Sequence, residues 1–311
     1  MEIKGKLANL GENVPLAPLT TFKIGGPARY FYIAKTKEEV IKVVSAAREV
    51  RLPYFIFGGG GNLLVADGGF DGIVIQVKSS KLKVKSDGGG SAEAGVPLGE
   101  IVTDSIRDGL TGLEWAVGIP GTVGGAVCGN AGAFGHHFSE VVEAVEILDE
   151  EGKIRKLSNK DCQFGYRESI FKEKPWVILE VTLKLKKRDP TESRRLAQEY
   201  LVRRQVPSYP SAGSIFKNIK VDQLPEVAKK LIPVGKIKGG MVSSGYLIEE
   251  CGLKGEQIGR AEISEEHANM IVNLGGAKAK DVMELIELCK AKVKGKFGIA
   301  LEEEIRYVGD F

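Results

Sequence analysis

Residues 54–77 have the sequence YFIFGGGGNLLVADGGFDGIVIQV, in which four consecutive glycines separate two apolar segments. Residues 54–57 and 73–77 are rich in aromatic and β-branched side chains and predict two strands. Glycine lacks a Cβ atom, so a glycine loop lets backbone N–H groups converge on a phosphate. The run lacks both the Lys-Ser/Thr of a P-loop and the last glycine of a G-x-G-x-x-G fingerprint. From this loop alone, a plain glycine turn stays an open alternative.

Helix and strand patterns alternate in the rest of the chain, which predicts an α+β fold. Thr36 and Glu39 form a capping box before apolar residues at helical spacing, and Pro53 stops that pattern. Further helices are predicted at residues 97–107, 191–204, 247–251 and 280–294. Further strands are predicted at residues 81–85, 91–94, 141–148, 176–185, 270–274 and 299–308.

The composition excludes several functional classes. Forty-four basic and 41 acidic residues among 311 leave a formal charge of +3, which favours neither nucleic acid nor an acidic tail. Four cysteines without a C-x-x-C pair, and no secretory signal at the polar start, predict reduced thiols in the cytoplasm. The uncharged residues 115–138 carry seven glycines, so we interpret them as a loop-rich site segment rather than a membrane span. Three histidines without clustered ligands predict no metal site.

A second glycine-rich segment, residues 118–126, follows about 60 residues after the first, and two such loops can grip both ends of a dinucleotide. Nine segments, in order over nearly the whole chain, resemble the UDP-N-acetylenolpyruvoylglucosamine reductase family. They are TTFKIGGPAR (20–29), GGGGNLLVADGGFDGIVI (58–75), GIPGTVGGAV (118–127), NAGAFG (130–135), FGYRESIFK (164–172), SAGSIFKN (211–218), LIEECGLKG (247–255), SEEHANMIVN (264–273) and LEEEIRYVG (301–309).

The resemblance implies an FAD enzyme of peptidoglycan synthesis. NADPH would reduce a noncovalently bound FAD, and hydride from flavin N5 with a proton would convert UDP-N-acetylglucosamine enolpyruvate to UDP-N-acetylmuramate. It implies a flavin fold of the p-cresol methylhydroxylase and vanillyl-alcohol oxidase type in two subdomains, 1–78 and 79–190. A C-terminal α+β substrate domain, 191–311, would follow, with a last strand that can return to the flavin part. The implied cofactor-binding residues are Gly58, Gly59, Gly60, Gly61, Asn62, Leu63, Leu64, Gly121, Thr122, Gly124 and Gly125.

The resemblance also implies catalytic residues. Arg167 would hold the substrate carboxylate by a two-pronged guanidinium contact, with Tyr166 lining the same pocket. Ser214 matches the family's proton donor, and Lys217 and Asn218 are candidates for polar contacts with the substrate. The alternatives are a surface arginine and a turn serine. Ile219 stands where the family usually has proline, so the exit of this loop departs from the family pattern.

Glu304 matches the catalytic glutamate of the family's Leu-Glu-Pro-Glu-Val pattern. Here Glu303 occupies the proline position, so a neighbouring glutamate stays an alternative. In a strand, residues 302, 304 and 306 would share one face, and a salt bridge of Glu304 with Arg306 is the purely structural interpretation.

Two other functions compete with the reductase. One is another FAD-linked oxidoreductase of the same superfamily, which would leave the C-terminal motifs unexplained, and the other is a flavin- or nucleotide-sugar-binding regulatory protein without turnover. The family has two types that differ by an inserted tyrosine-bearing loop. The short passage between Tyr166 and Ser214 favours the type without it. We expect a monomer that binds no nucleic acid and no membrane.

Overall fold

The computed structural model describes residues 3–84 and 87–311. The chain divides into two compact units. Unit 1 contains the residues up to Val14, Ala28–Gly60 and Asp71–Arg204, and unit 2 contains Pro15–Pro27, Gly61–Phe70 and Gln205–Phe311. The chain passes from unit 1 to unit 2 inside the four-glycine run. The division into domains 1–78, 79–190 and 191–311 stays a prediction.

The helices follow the predicted pattern. The α-helices in the described residues are α1 (Lys37–Glu49), α2 (Leu98–Arg107), α3 (Val123–Cys128), α4 (Pro190–Arg203), α5 (Glu226–Leu231), α6 (Ser244–Glu250) and α7 (Ala279–Phe297). α1 begins at Thr36, whose hydroxyl oxygen accepts a hydrogen bond from Glu39 N at 3.2 Å. The Glu39 carboxylate accepts from Lys35 N rather than from Thr36 N, so the cap differs from the predicted box by one residue.

The strands in the described residues are β1 (Gly11–Pro15), β2 (Pro27–Ala34), β3 (Tyr54–Phe57), β4 (Leu63–Val65), β5 (Phe70–Val77), β6 (Leu82–Val84), β7 (Gly89–Glu93), β8 (Leu110–Thr111), β9 (Gly132–Ala133), β10 (His136–His137), β11 (Val142–Leu148), β12 (Ile154–Ser158), β13 (Val177–Lys184), β14 (Lys186–Lys187), β15 (Ser211–Ser214), β16 (Ile219–Lys220), β17 (Ile237–Lys238), β18 (Met241–Val242), β19 (Gln257–Ile258), β20 (Ala261–Ile263), β21 (Met270–Asn273) and β22 (Arg306–Val308). Most predicted strands are confirmed within a few residues. Lys85, the end of one predicted strand, lies outside the described residues.

Unit 1 contains two main sheets. The first has the order β1-β2-β5-β3, with β3 parallel to β5, and α1 packs its buried valines against Ile73 and Ile75. The second has the order β12-β11-β13-β7-β6 and is antiparallel. Its core cluster includes residues of α2 and α3. Unit 1 therefore has mixed α and β structure, as predicted.

Unit 2 is built around α7 and the antiparallel sheet β15-β21-β20-β19. α7 buries one stripe of residues at spacings of three and four, as an amphipathic helix does. The stripe is Val282, Leu285, Ile286, Cys289, Val293 and Phe297. The Asp67 carboxylate accepts hydrogen bonds from Ala279 N and Lys280 N at the start of α7. Gly298, with φ +70°, ends the helix in the left-handed conformation.

The prediction of a continuous strand at 299–308 is wrong. Lys217 N donates to the Glu302 carbonyl at 2.8 Å, and Glu304 N donates to the Ile215 carbonyl at 2.7 Å. From Arg306 onward the chain instead pairs in parallel with β4. Residues 299–308 therefore pair first with residues 215–217 and then with β4, and this change of partner interrupts the ladder of backbone hydrogen bonds.

Candidate functional site

The two glycine-rich segments of unit 1 contact each other, Gly59 through the backbone of Gly121 and Gly58 through the side chain of Thr122. A Cβ atom at Gly58 would overlap the Thr122 hydroxyl oxygen, and one at Gly59 would lie 2.8 Å from the Gly121 Cα. Gly60 and Gly121 have φ angles of +68° and +139°, which L side chains rarely adopt. Close approach and backbone conformation therefore both require glycine here.

Thr122 starts helix α3 rather than continuing a loop. Its hydroxyl oxygen accepts from Gly125 N at 3.4 Å. The Gly124 N–H donates to the Ala94 carbonyl at 2.9 Å, and a Cβ at Gly124 would lie 2.7 Å from the Ala94 Cβ. The interpretation of 115–138 as loop-rich is wrong where α3 forms, because the threonine cap offsets the poor helix propensity of the glycines. Gly124 packs the helix closely against residue 94.

The residues present fit the pyrophosphate part of FAD. A pyrophosphate binds to backbone N–H groups that no side chain screens, and the contacts of Gly58 with Thr122 and of Gly59 with Gly121 leave no room for a side chain at either glycine. The predicted cofactor residues from Gly61 to Leu64 lie in unit 2. Asn62 Nδ2 donates to the Glu304 carbonyl at 3.0 Å. Leu63 and Leu64 belong to β4, and Leu64 is fully buried in the unit 2 core.

Tyr166 and Arg167 form the tip of a tight hairpin in unit 1. Gly165 and Glu168 close it with two backbone hydrogen bonds of 3.0 and 3.2 Å. Arg167 has φ +59°, which costs a non-glycine residue about 1 kcal/mol or more. Strain of this kind clusters at ligand-binding sites.

The Arg167 side chain is half-buried and has several contacts. Its Nη2 donates to the Gly132 carbonyl at 2.6 Å, and its Cζ lies 5.4 Å from the centroid of the Tyr166 ring. The Lys172 ammonium donates to the Arg167 carbonyl at 2.6 Å. Burial, together with the charge of Arg167, lowers the pKa of His137, whose ring lies edge-on to Tyr166. A neutral imidazole therefore stands beside the guanidinium.

Ser214 ends β15 in unit 2, just before a firmly held backbone segment. Gly213, with φ +80°, and a register shift in β15 bend the strand before Ser214. Ile215 N donates to the Asn269 carbonyl at 2.8 Å. Glu304 N donates to the Ile215 carbonyl, so the structure brings Glu304 to the residue that follows Ser214. Ser214 itself is half-buried.

The three consecutive glutamates have different neighbours. Glu302 is largely exposed and pairs with the ammonium of Lys217, whose side chain is 9% exposed. Glu303 accepts from the Tyr307 hydroxyl and pairs with Lys290, and burial together with this carboxylate raises the pKa of Tyr307. These two carboxylates are held by neighbouring cations or a phenol. Of the three, Glu304 is the one whose backbone bonds to Ile215, the residue directly after Ser214, whereas the Glu302 carbonyl accepts from Lys217 N.

Lys217 and Asn218 line a cavity of about 460 Å³ in unit 2, together with residues 222–225 and 298–300. Asn218 Oδ1 accepts from Ser244 N at 3.2 Å, and the Ser244 hydroxyl donates to the Lys217 carbonyl. These bonds hold the side chain of Asn218 and the backbone of Lys217.

Sequence reasoning missed two buried asparagines. Asn269, 2% exposed, accepts from Phe216 N and donates to the Phe216 carbonyl, so it fixes the chain two residues beyond Ser214. Asn130, 3% exposed, donates to the Gly165 carbonyl of the hairpin. Both lie inside segments that carry the family resemblance. In the sequence, the signal for each asparagine was a polar residue among apolar and glycine neighbours.

In residues 3–84 and 87–311, no group of three histidine, cysteine or acidic side chains could hold a metal ion. None of the helices in the described residues is long and apolar enough to cross a membrane. The four cysteines form no disulfide.

Comparison with known proteins first defines the class. A model of the FAD binding domain matches residues 28–158, so the chain has a flavin-binding fold. A model of the UDP-N-acetylenolpyruvoylglucosamine reductase C-terminal domain matches residues 205–308.

Full-length relatives then define the family. A UDP-N-acetylenolpyruvoylglucosamine reductase of Caldanaerobacter subterraneus subsp. tengcongensis is 40% identical over 96% of this chain and 93% of its own length. One of Synechococcus sp. is 41% identical over 96% and 91%. The crystal structure of UDP-N-acetylenolpyruvylglucosamine reductase (MurB) from Thermus caldophilus is 36% identical, with a TM-score of 0.76, and covers 95% of this chain and 97% of that one. The chain belongs to the UDP-N-acetylenolpyruvoylglucosamine reductase family.

Proposed function

We propose that this chain is the NADPH-dependent FAD enzyme that reduces UDP-N-acetylglucosamine enolpyruvate to UDP-N-acetylmuramate in peptidoglycan synthesis. Family membership over nearly the whole chain supports this function. The structural observation that carries it is the half-buried guanidinium of Arg167 on a strained hairpin, since the substrate of this reaction has a carboxylate beside the reacting double bond. When bound, FAD accepts hydride from NADPH and supplies it to that double bond.

Arg167 is proposed to bind the substrate carboxylate. Negative charge develops beside this carboxylate as hydride adds, and a guanidinium stabilises that charge through two parallel hydrogen bonds. Tyr166, whose ring lies under the guanidinium, is proposed to line the same pocket. The neutral state of His137 avoids a second positive charge next to Arg167.

Ser214 is proposed to donate the proton, and Glu304 to assist it. An aliphatic hydroxyl is a weak acid, so it serves only when held firmly and when its charge is compensated. The bonds of Ile215 and Phe216 to Asn269 hold the adjacent backbone. Lys217 and Asn218 are proposed as polar contacts to the substrate, and their shared cavity supports this role.

Residues 58–62, Leu63, Leu64, Gly121, Thr122, Gly124 and Gly125 stay the proposed cofactor-binding set. The backbone contact of Gly58 and Gly59 with Thr122 and Gly121 supports its central members. The buried side chain of Leu64 and the packed Cα of Gly124 have structural roles as well.

We also propose a monomer of the cytoplasm that belongs to the family type without the inserted tyrosine loop. Most of the passage between Tyr166 and Ser214 is occupied by β13, β14 and α4, which supports the assignment of type. The cytoplasmic location is supported by NADPH and nucleotide sugars as substrates and by four cysteines without a disulfide. Light scattering coupled to size exclusion and cell fractionation test these two points.

The test of the function is a spectrum followed by two additions. Purified protein should be yellow, and acid precipitation should release FAD. Anaerobic NADPH should bleach the flavin absorbance, and UDP-N-acetylglucosamine enolpyruvate should restore it. A flavoprotein that bleaches but is not restored by this substrate would be a different oxidoreductase.

A further inference from the structure

The guanidinium of Arg167 lies directly on the backbone of Gly132. Nη2 donates to the Gly132 carbonyl at 2.6 Å. A Cβ atom at Gly132 would lie 2.9 Å from Arg167 Nη1, 2.5 Å from the His136 carbonyl oxygen and closer still to His137 Nδ1. Real Cβ atoms essentially never approach other atoms so closely. The φ angle of Gly132 is outside the left-handed region, so space rather than backbone conformation requires glycine there.

Two residues earlier, Asn130 holds the backbone of the arginine hairpin. Its Nδ2 donates to the Gly165 carbonyl at 2.8 Å, and its Oδ1 accepts from Ser139 N at 3.0 Å. The asparagine is 3% exposed and has φ +39°, a conformation that asparagine tolerates better than most residues. It therefore links the hairpin to the single-turn 3₁₀ helix at residues 138–140.

The backbone of the hairpin does not by itself fix the orientation of the long arginine side chain. A free arginine side chain populates many rotamers, and a ligand must overcome the entropy of this freedom when it orders the side chain. The contact with Gly132 restricts that freedom before any ligand binds. Backbone and side chain of Arg167 are thus held by neighbouring residues of one short segment.

We propose that Asn130 and Gly132 are positioning residues for carboxylate recognition by Arg167. Asn130 fixes the hairpin backbone, and Gly132 gives the guanidinium its direction. This inference rests on the proposed role of Arg167. It requires that a substitution of either residue weakens the binding of ligands that have the carboxylate and leaves the binding of ligands without it unchanged.

The test compares Gly132→Ala with Gly129→Ala. The control lies three residues earlier, and its Cβ would come no closer than 3.6 Å to another atom, the Gly125 carbonyl oxygen. Dissociation constants are measured on the FAD-loaded enzyme for UDP-N-acetylmuramate, which has the carboxylate, and UDP-N-acetylglucosamine, which lacks it. Retained FAD and an unchanged rate of flavin reduction by NADPH report a folded protein.

Gly132→Ala should raise the dissociation constant of UDP-N-acetylmuramate roughly tenfold to a hundredfold, the range for the loss of a hydrogen bond to a charged group. The dissociation constant of UDP-N-acetylglucosamine should stay unchanged. Its kcat/KM for the enolpyruvyl substrate should fall about a hundredfold, as for a reactant displaced by about 1 Å. Gly129→Ala should match the wild type in all three measurements. The proposal would be overturned if Gly132→Ala left the ratio of the two dissociation constants as it is in the wild type.

Asn130→Gly provides a second variant in case Gly132→Ala does not fold, because glycine accepts the positive φ angle while both side-chain hydrogen bonds are lost. It should show the same selective loss, and unchanged selectivity would contradict the inference. Arg167→Lys distinguishes a failure of the positioning role from a failure of the proposed function of Arg167. If Arg167→Lys loses the preference for the carboxylate ligand and the other two variants keep it, only the positioning role is wrong. If Arg167→Lys keeps the preference as well, the proposed function of Arg167 is wrong and the inference falls with it.

Discussion

The positions of Arg167 and Ser214 depend on left-handed backbone conformations, at Arg167 itself and at Gly213, the residue before Ser214. Arg167 has a left-handed φ angle, and Ser214 follows a glycine with φ +80° in a strand with a register shift. In both places a buried asparagine amide bonds to backbone atoms nearby. The chemistry of each site therefore depends on neighbours with no reactive group.

Arg167→Lys should lose activity although the positive charge stays, because an ammonium cannot form two parallel hydrogen bonds with a carboxylate. We expect kcat/KM for the enolpyruvyl substrate to fall about tenfold to a hundredfold, with the flavin content unchanged. Stopped-flow measurement of flavin reoxidation checks this. Near-normal reoxidation would make Arg167 a structural cation.

Ser214→Ala should separate the two half-reactions, since the proton is needed only after NADPH has reacted. Bleaching by NADPH should stay normal, and reoxidation by the enolpyruvyl substrate should slow by at least about a hundredfold. Ser214→Cys should keep part of the activity, because a thiol is an adequate proton donor.

Glu304→Gln is the matched comparison for Ser214→Ala. The amide keeps a hydrogen-bond donor but cannot exchange a proton. If Ser214→Ala reoxidises normally and Glu304→Gln does not, the donor role belongs to the glutamate. Among the three glutamates, Glu304 is preferred because its backbone N donates to the carbonyl of Ile215, the residue directly after Ser214.

At the scale of elements, the contact of Gly58 and Gly59 with the turn before α3 forms the proposed cofactor cradle. Both segments are short, and neither has a nucleotide fingerprint. Their function depends on backbones that approach until no Cβ fits.

Gly59→Ala should weaken FAD binding by at least about tenfold, because the added Cβ would lie 2.8 Å from Gly121 Cα and must push the two segments apart. Gly99→Ala is the control, since its Cβ would meet nothing within 4 Å on α2. Titration of the apoprotein with FAD gives both dissociation constants. Equal affinity in the two variants would contradict the cradle.

At the scale of the whole molecule, two half-buried histidines couple stability to pH. Burial lowers the pKa of His267, and burial together with Arg167 lowers that of His137. A histidine with a lowered folded pKa stabilises the fold above its unfolded value of about 6.5, and this contribution is lost as pH falls toward the folded pKa. The unfolding free energy should therefore decrease below about pH 6.5.

The decrease should not exceed about 1.4 kcal/mol per pH unit for each histidine. Urea unfolding at several pH values measures it. His267→Gln should flatten the slope between about pH 6.5 and 5, since glutamine does not titrate. A slope identical to that of the wild type would show that His267 does not resist protonation in the fold.

The sequence by itself determined most of the elements, the α+β class, the flavin fold and the family, because helical periodicity, strand composition and collinear motifs are local properties of the chain. α1, α2, β3 and α7 needed no tertiary information beyond a few boundary residues.

Only the tertiary structure decided how those motifs are used. It showed that the Gly58 and Thr122 segments touch, that α3 replaces a loop, and that 299–308 changes partner instead of forming one strand. It also assigned partners to Glu302 and Glu303, and it placed Asn130 and Gly132 against the arginine hairpin. Each of these facts joins residues distant in sequence, and their contact depends on packing and hydrogen-bond satisfaction that no local pattern encodes.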